Sequence, residues 1–271
     1  GLCRWAYDEA NLENTAITPV GVKVHPPRIK ILPVDPTPSE ERLNEFLDHL
    51  LHSLPKDNEA YGVLTNTMMR ARRSGYAALE GVLRRIRNEI AHGWGGRKNE
   101  VKESDSDLID VDYRWAHELF VTPDVCALLG KILDQIELEP SDPKSTLLSE
   151  ILGPSPIRQK TCIVTAYRAT LSYLETALMQ SGAQVFTIHS ELSPEKAFDE
   201  LKKFQDSEGL LAITSAALRP GVDLSFVNSL IIYDEPATDA KLKSLFECFE
   251  GPHRSAPLEV TIIDQTSRES S

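Results

Sequence analysis

The sequence holds few cysteines, and they are badly placed for structural chemistry. Cys3, Cys126, Cys162 and Cys248 lie far apart with no CxxC pair, so neither a zinc site nor a dense disulfide framework is signalled. Reduced thiols in an intracellular protein are the expectation. No run reaches the roughly eighteen apolar residues of a membrane span, and no basic-then-apolar leader opens the chain, so no membrane partner is expected. Neither GxxxxGK[ST] nor a GxGxxG after a strand occurs, which removes the usual backbone cradle for a nucleoside triphosphate and argues against an autonomous nucleotide hydrolase. There is no HExxH pair, no comparable histidine spacing and no GxSxG elbow, so the adjacent His189 and Ser190 have no nucleophile geometry to belong to. Positive charge is in deficit: 29 Lys plus Arg against 41 Asp plus Glu give a net charge of −12. A surface attracting nucleic acid all over is excluded, while a local basic face is not.

What is present is an ordinary globular composition. With 41% hydrophobic and 26% charged residues over 271 positions, the chain can bury a sizeable core, as one large domain or two small ones. Starting at Gly1, it reads as a piece of something longer.

Residues 1–36 are proline-punctuated and read as an extended tether, or as an edge strand around Ile29 to Val34. Thr37-Pro38-Ser39-Glu40 supplies an N-cap hydroxyl, a proline at the first helical position and a capping-box acid, and the leucines that follow predict a helix from Pro38 to Leu54. Asn58 to Arg73 and Ser74 to His92 predict two more, so residues 37–142 read as a helical region. An exposed acidic loop interrupts it near 93–112, and further helices follow from Pro123 to Ile136 and from Lys144 to Leu152. From Lys160 the pattern changes to TCIVTA, VFTIHS, LLAIT and SLIIYD, with amphipathic helices between the first three. That alternation predicts a parallel sheet with helical crossovers over 143–266, followed by a tail at 267–271. Chemistry in such sheets gathers at the carboxyl ends of the strands, here Thr165 to Arg168, His189 to Glu191, Thr214 to Asp223 and Asp234 to Pro236.

The basic residues Arg70, Arg72, Arg73, Arg84, Arg85 and Arg87 cluster in the helical region. They read either as a phosphate-binding patch or as a solvated face paired with acids such as Glu80 and Glu89. Tyr233-Asp234-Glu235-Pro236 imitates a magnesium-holding acidic pair, or else ends a strand and caps the next helix.

Taken together, KTCIVTAYRATLSYLETAL, QVFTIHSELSPEKAFDELKKF, LLAITSAALRPGVDLSFVNSLIIYDEP and GPHRSAP resemble the successive units of the second motor lobe, the helicase C-terminal domain, of superfamily-two ATPases, nearest to the Swi/Snf-type DNA translocases. The resemblance implies an α/β RecA-like parallel sheet with flanking helices, preceded by a mostly helical N-terminal region. It implies that Tyr167, Arg168, His189 and Ser190 lie near a nucleic-acid backbone; Arg84, Arg85 and Arg87 are further candidate contacts on the charge of their helix alone. Thr214, Ser215, Gly221 and Asp223 would couple the nucleotide to that grip, and Arg254 would be the remaining arginine finger. The chain departs from the family in the turn from Leu218 to Gly221 and in the last motif, where Glu247 and Gly251 replace a glutamine and an arginine and only His253 and Arg254 are kept. No metal ligands are implied, and ATP and magnesium are implied only if a first motor lobe or partner subunit is paired with this one. The other implied partner is DNA, duplex by preference, in a nucleus or a bacterial nucleoid or cytoplasm. Two readings therefore stand: the second lobe of a DNA-dependent ATPase, or a catalytically inactive lobe that has become a DNA-binding or protein-docking module.

Overall fold

A computed structural model describes residues 26–92, 119–120, 122–139, 142–153, 159–218, 221–234, 239–251, 254 and 256–265. Its described part is a six-stranded parallel sheet with helices on both faces and a layer of helices set against one stretch of its carboxyl edge. The expected RecA-like sheet with a helical N-terminal region is thus present.

The first strand, β1 (Arg28–Val34), pairs in parallel with β6 (Glu259–Gln265), from the other end of the chain. This settles the choice between tether and edge strand for residues 28–34: they are an edge strand, because β6 offers them a complete register from Arg28 opposite Glu259 to Val34 opposite Gln265. Between them in the chain come β2 (Thr161–Thr165), β3 (Val185–Ile188), β4 (Leu210–Thr214) and β5 (Ser229–Ile232), and the spatial order of the sheet is β1-β6-β5-β2-β4-β3. Every residue of β2 and β4 is buried, which fits their uninterrupted apolar character.

The helical layer comprises α1 (Pro38–Ser53), α2 (Glu59–Ser74), α3 (Tyr76–His92) and α4 (Pro123–Leu138). The capping box at α1 is reciprocal as read from sequence: Thr37 Oγ1 accepts from the Glu40 amide at 3.2 Å, and Glu40 Oε2 accepts from the Thr37 amide at 3.1 Å. The break between α2 and α3 falls at Gly75. Its φ of +141° and the crowding of Asp142 Oδ2, 2.2 Å from where a Cβ would sit, leave room for glycine alone. Leucines and isoleucines from these four helices, among them Leu47, Leu83 and Ile132, form one apolar cluster that also takes in Ala166 and Tyr167 from the end of β2. The acidic loop expected at 93–112 lies outside the described residues, as do residues 1–25 and the tail.

On the sheet, α5 (Pro143–Leu152) and α6 (Arg168–Gln180) cover one face through Leu148, Leu171, Leu174 and Leu178. The opposite face is covered by α7 (Pro194–Gln205) and α8 (Asp239–Glu247) through Phe204, Leu242, Leu245 and Phe246.

Candidate functional site

The carboxyl edge of the sheet is divided. Over β6, β5 and β2 the helical layer is seated by a buried polar junction. Lys144, 1% exposed, donates to the Arg73 carbonyl at 2.9 Å and to the Tyr233 carbonyl, and lies 3.7 Å from Asp234 Oδ1, an ion pair longer than a hydrogen bond. Its ammonium sits 4.6 Å from the centre of the Tyr233 ring. Asp234 Oδ2 accepts from Thr165 Oγ1 at 2.5 Å and from the Ala166 amide at 2.6 Å, which pins the turn from β2 into α6. Asp142 caps α5 through the Lys144 amide at 2.9 Å and accepts from the Tyr76 amide at 2.8 Å. Alongside, Glu40 Oε1 receives Arg72 Nη2 at 3.0 Å and Gln265 Nε2 at 2.7 Å, joining α1, α2 and the end of β6. Burial pushes the Lys144 ammonium below its ordinary value, with Asp234 and Asp142 drawing it back, and burial pushes the Asp142 carboxyl up. These ions are costly to bury and strongly destabilising to break, so the junction closes this part of the edge.

Sequence reading did not find this junction. From sequence Asp234 reads as a metal holder or a helix cap, and the geometry makes it a pin for the turn at Thr165 and Ala166; Glu235 and Pro236 lie outside the described residues. Lys144 meets Arg73, Tyr233 and Asp234, and Asp142 meets Tyr76, at separations of 66 to 90 positions in sequence, beyond any local pattern.

Over β4 and β3 the edge is not seated in this way. Arg168, His189, Ser190 and Ser215 come together here at the ends of β2, β3 and β4, each half-buried, and α6 begins with no side-chain hydrogen bond capping it at Tyr167. Arg168 Nη1 is engaged by Glu191 Oε2 across the two strand ends, both side chains being about one-third exposed.

Four expected contacts find different places. Tyr167 is 5% exposed and packs into the helical cluster, so the expectation of a nucleic-acid contact is corrected for this side chain: the apolar layer claims the ring. Thr214 is fully buried, its hydroxyl without a hydrogen-bond partner, and thus offers no surface to a ligand. Asp223 is exposed and accepts from the Ser225 amide at 2.9 Å, closing a local turn beside Gly221, whose φ is +99°. Arg254, expected as an arginine finger, turns its guanidinium into its own lobe: Nη2 donates to the Val227 carbonyl at 2.7 Å, Nε to Phe249 at 3.1 Å, and Nη1 reaches Ala256 at 3.5 Å. Three of its five donors are thus engaged by backbone carbonyls of the lobe, and burial lowers its pKa.

Arg84 pairs with Glu80 at 2.6 Å and with Glu137 of α4 at 2.5 Å, a solvated face tying two helices, while Arg87 is exposed and Arg85 half-buried. Among the described residues no group of three or more histidines, cysteines and acids is placed to hold a metal ion, and no helix is long and apolar enough to cross a membrane.

A parallel sheet covered by helices on both faces, with half-buried polar side chains at one stretch of its carboxyl edge, defines a RecA-like α/β lobe. Residues 143–246 match the model of the helicase conserved C-terminal domain. The C-terminal part of the Fun30 ATPase domain superposes with a TM-score of 0.58 at 12% identity, over 90% of this chain and 86% of that one. The Hef helicase domain of Pyrococcus furiosus does so with a TM-score of 0.59 at 16% identity, over 90% of this chain and 56% of that one. In sequence the chain is 24% identical to the ATP-dependent RNA helicase DRS1 of Yarrowia lipolytica over 52% of its length, and 28% identical to the ATP-dependent RNA helicase ddx19 of Dictyostelium discoideum over 37%. It spans about a fifth of the length of these curated relatives, 19% and 22%. The domain match covers residues 143–246, less than half of the chain, and the structural neighbours share its fold.

Proposed function

We propose that this chain is the second lobe of a helicase-type motor, nearest to the Swi/Snf type, and that it grips the phosphate backbone of duplex DNA at the ends of β2, β4 and β3. The observation that carries this reading is the convergence of Arg168, His189, Ser190 and Ser215 with the uncapped start of α6, where the first amides of a helix favour an anion. The strand would lie along this edge. Glu191 tempers the charge of Arg168, so phosphate must compete with a carboxylate for the guanidinium.

ATP and magnesium belong to this reading only through a first lobe. The described residues offer a nucleotide neither a glycine-rich cradle nor a presented arginine, and no nucleotide step is assigned to this chain. The inward Arg254 specifically favours the second reading, a lobe that binds or docks without turnover.

Fluorescence anisotropy with a labelled random duplex and a labelled single strand, each at several salt concentrations, tests the grip. The expected result is sequence-tolerant binding of the duplex that weakens with salt, tightens in Glu191→Gln and fails in Arg168→Ala. Equal binding by both variants would place the interface elsewhere, and preference for the single strand would overturn the duplex reading.

A further inference from the structure

Residues 221–228, the loop that leads from the open edge back into β5, are fastened to the segment that follows α8 by three separate contacts. The Leu224 amide donates to the Cys248 carbonyl at 2.8 Å. Gly251 lies so close to Ser225 that a Cβ on it would stand 2.6 Å from the Ser225 Cβ. Arg254 then bridges both sides, with Val227 on the loop and Phe249 and Ala256 on the later segment. Leu224, Val227 and Phe249 beneath these contacts are fully buried, so the two segments share one apolar floor.

A guanidinium has five donors in a rigid fork, and here each of its three nitrogens faces a backbone carbonyl belonging to one of two chain segments. Carbonyl oxygens at a loop edge would otherwise face a partly desolvated surface, and satisfying them fixes both segments in one register. The close approach at Gly251 makes the same demand from the other side: any side chain there drives the two segments apart.

We propose that Arg254 is a positioning residue that holds the loop at 221–228 against the segment after α8 and makes no contact with a ligand. The loop carries Gly221 and Asp223 and continues the chain from the end of β4 towards β5, so its position bears on the surface that a bound strand would meet. Only this last consequence rests on the nucleic-acid reading above.

Hydrogen exchange of the full chain, followed by mass spectrometry, tests the fastening without any ligand. Arg254→Gln and Gly251→Ala both raise exchange in residues 221–228 by roughly tenfold or more, while peptides from β2 and α6 keep their protection. Arg254→Lys, which keeps the charge but cannot reach carbonyls on both segments, behaves as Arg254→Gln. If Arg254→Gln unfolds the chain, the lysine and alanine variants decide the matter alone. Unchanged exchange in these variants overturns the proposal. A second readout separates position from contact: log affinity for duplex against log salt keeps its slope in the glutamine variant, whereas a lost phosphate contact lowers that slope by about 0.9. A lowered slope together with wild-type binding by Arg254→Lys would overturn the proposal in favour of a direct contact. Should the unsubstituted chain bind no nucleic acid, the binding reading fails and the exchange result still stands for or against the fastening.

Discussion

Thr165 and Thr214 end neighbouring strands, stand opposite each other in the β2 to β4 register, and are both fully buried. They differ in what they meet. The Thr165 hydroxyl donates to a buried carboxylate that is held by Lys144, whereas the Thr214 hydroxyl meets nothing. The boundary between the closed and the open halves of the carboxyl edge therefore passes between two residues of the same type one strand apart. The two halves differ in kind: on the closed side buried charges are paired beneath the helical layer, although Asp234 Oδ1, the Tyr233 hydroxyl, Arg72 Nη1 and Gln265 Oε1 have no hydrogen-bond partner, and on the open side polar groups stand half-buried at strand ends.

The sharpest way to break this contrast is at the junction itself. Lys144→Ala removes the cation shared by Asp234, the Tyr233 carbonyl and the Arg73 carbonyl, and leaves buried acceptors behind. The expected loss is about 3–5 kcal/mol in urea unfolding, the range for breaking one member of a buried ion pair. A loss below about 1 kcal/mol would match a solvated surface pair and would mean that water reaches the junction.

The threonine pair gives the next effect in size. Thr165→Val strips a hydrogen bond to a charged group and should cost about 1.5–3 kcal/mol. Thr214→Val has the same shape change and removes a hydroxyl that is buried without a partner, so its effect on unfolding should be near zero or stabilising by about 1 kcal/mol. Equal losses at both positions would erase the difference between the two halves.

How much of this was legible beforehand follows from range. The capping box at Thr37 and Glu40, the helix it starts and the strands at 161–165 and 210–214 rest on neighbours a few residues apart, and the sequence showed each of them. The strand at 259–265 escaped notice because only some of its residues are buried and its partner β1 lies 231 positions earlier. The site was legible in part. Arg168, His189 and Ser190 were picked out by their place at strand ends, and that rule holds for where they sit. It could not tell that Tyr167, next to Arg168, is claimed by the helical layer, because nothing local says which strand ends a separate layer will cover. Nor could it tell that Arg254 bridges two segments through backbone carbonyls, since one of them, Val227, belongs to a loop 27 residues away.

The smallest effect concerns α3, where composition left two readings of the arginines open. Arg84 pairs with Glu80 one turn away and with Glu137 on α4, and its side chain is 41% exposed. Exposed pairs of this kind are worth about 0–1 kcal/mol, so Arg84→Ala should shift the urea midpoint only slightly. The same substitution should leave duplex affinity and its salt slope unchanged, because a guanidinium already shared by two carboxylates has little left for a phosphate. The combined change of Arg84, Arg85 and Arg87 to alanine extends the test to the exposed member of the group. If the triple variant loses affinity and lowers the slope by two or more contacts' worth, the strand crosses the helical layer as well as the open edge. The division of the edge would then describe stability alone, and the nucleic-acid surface would have to be redrawn across α3.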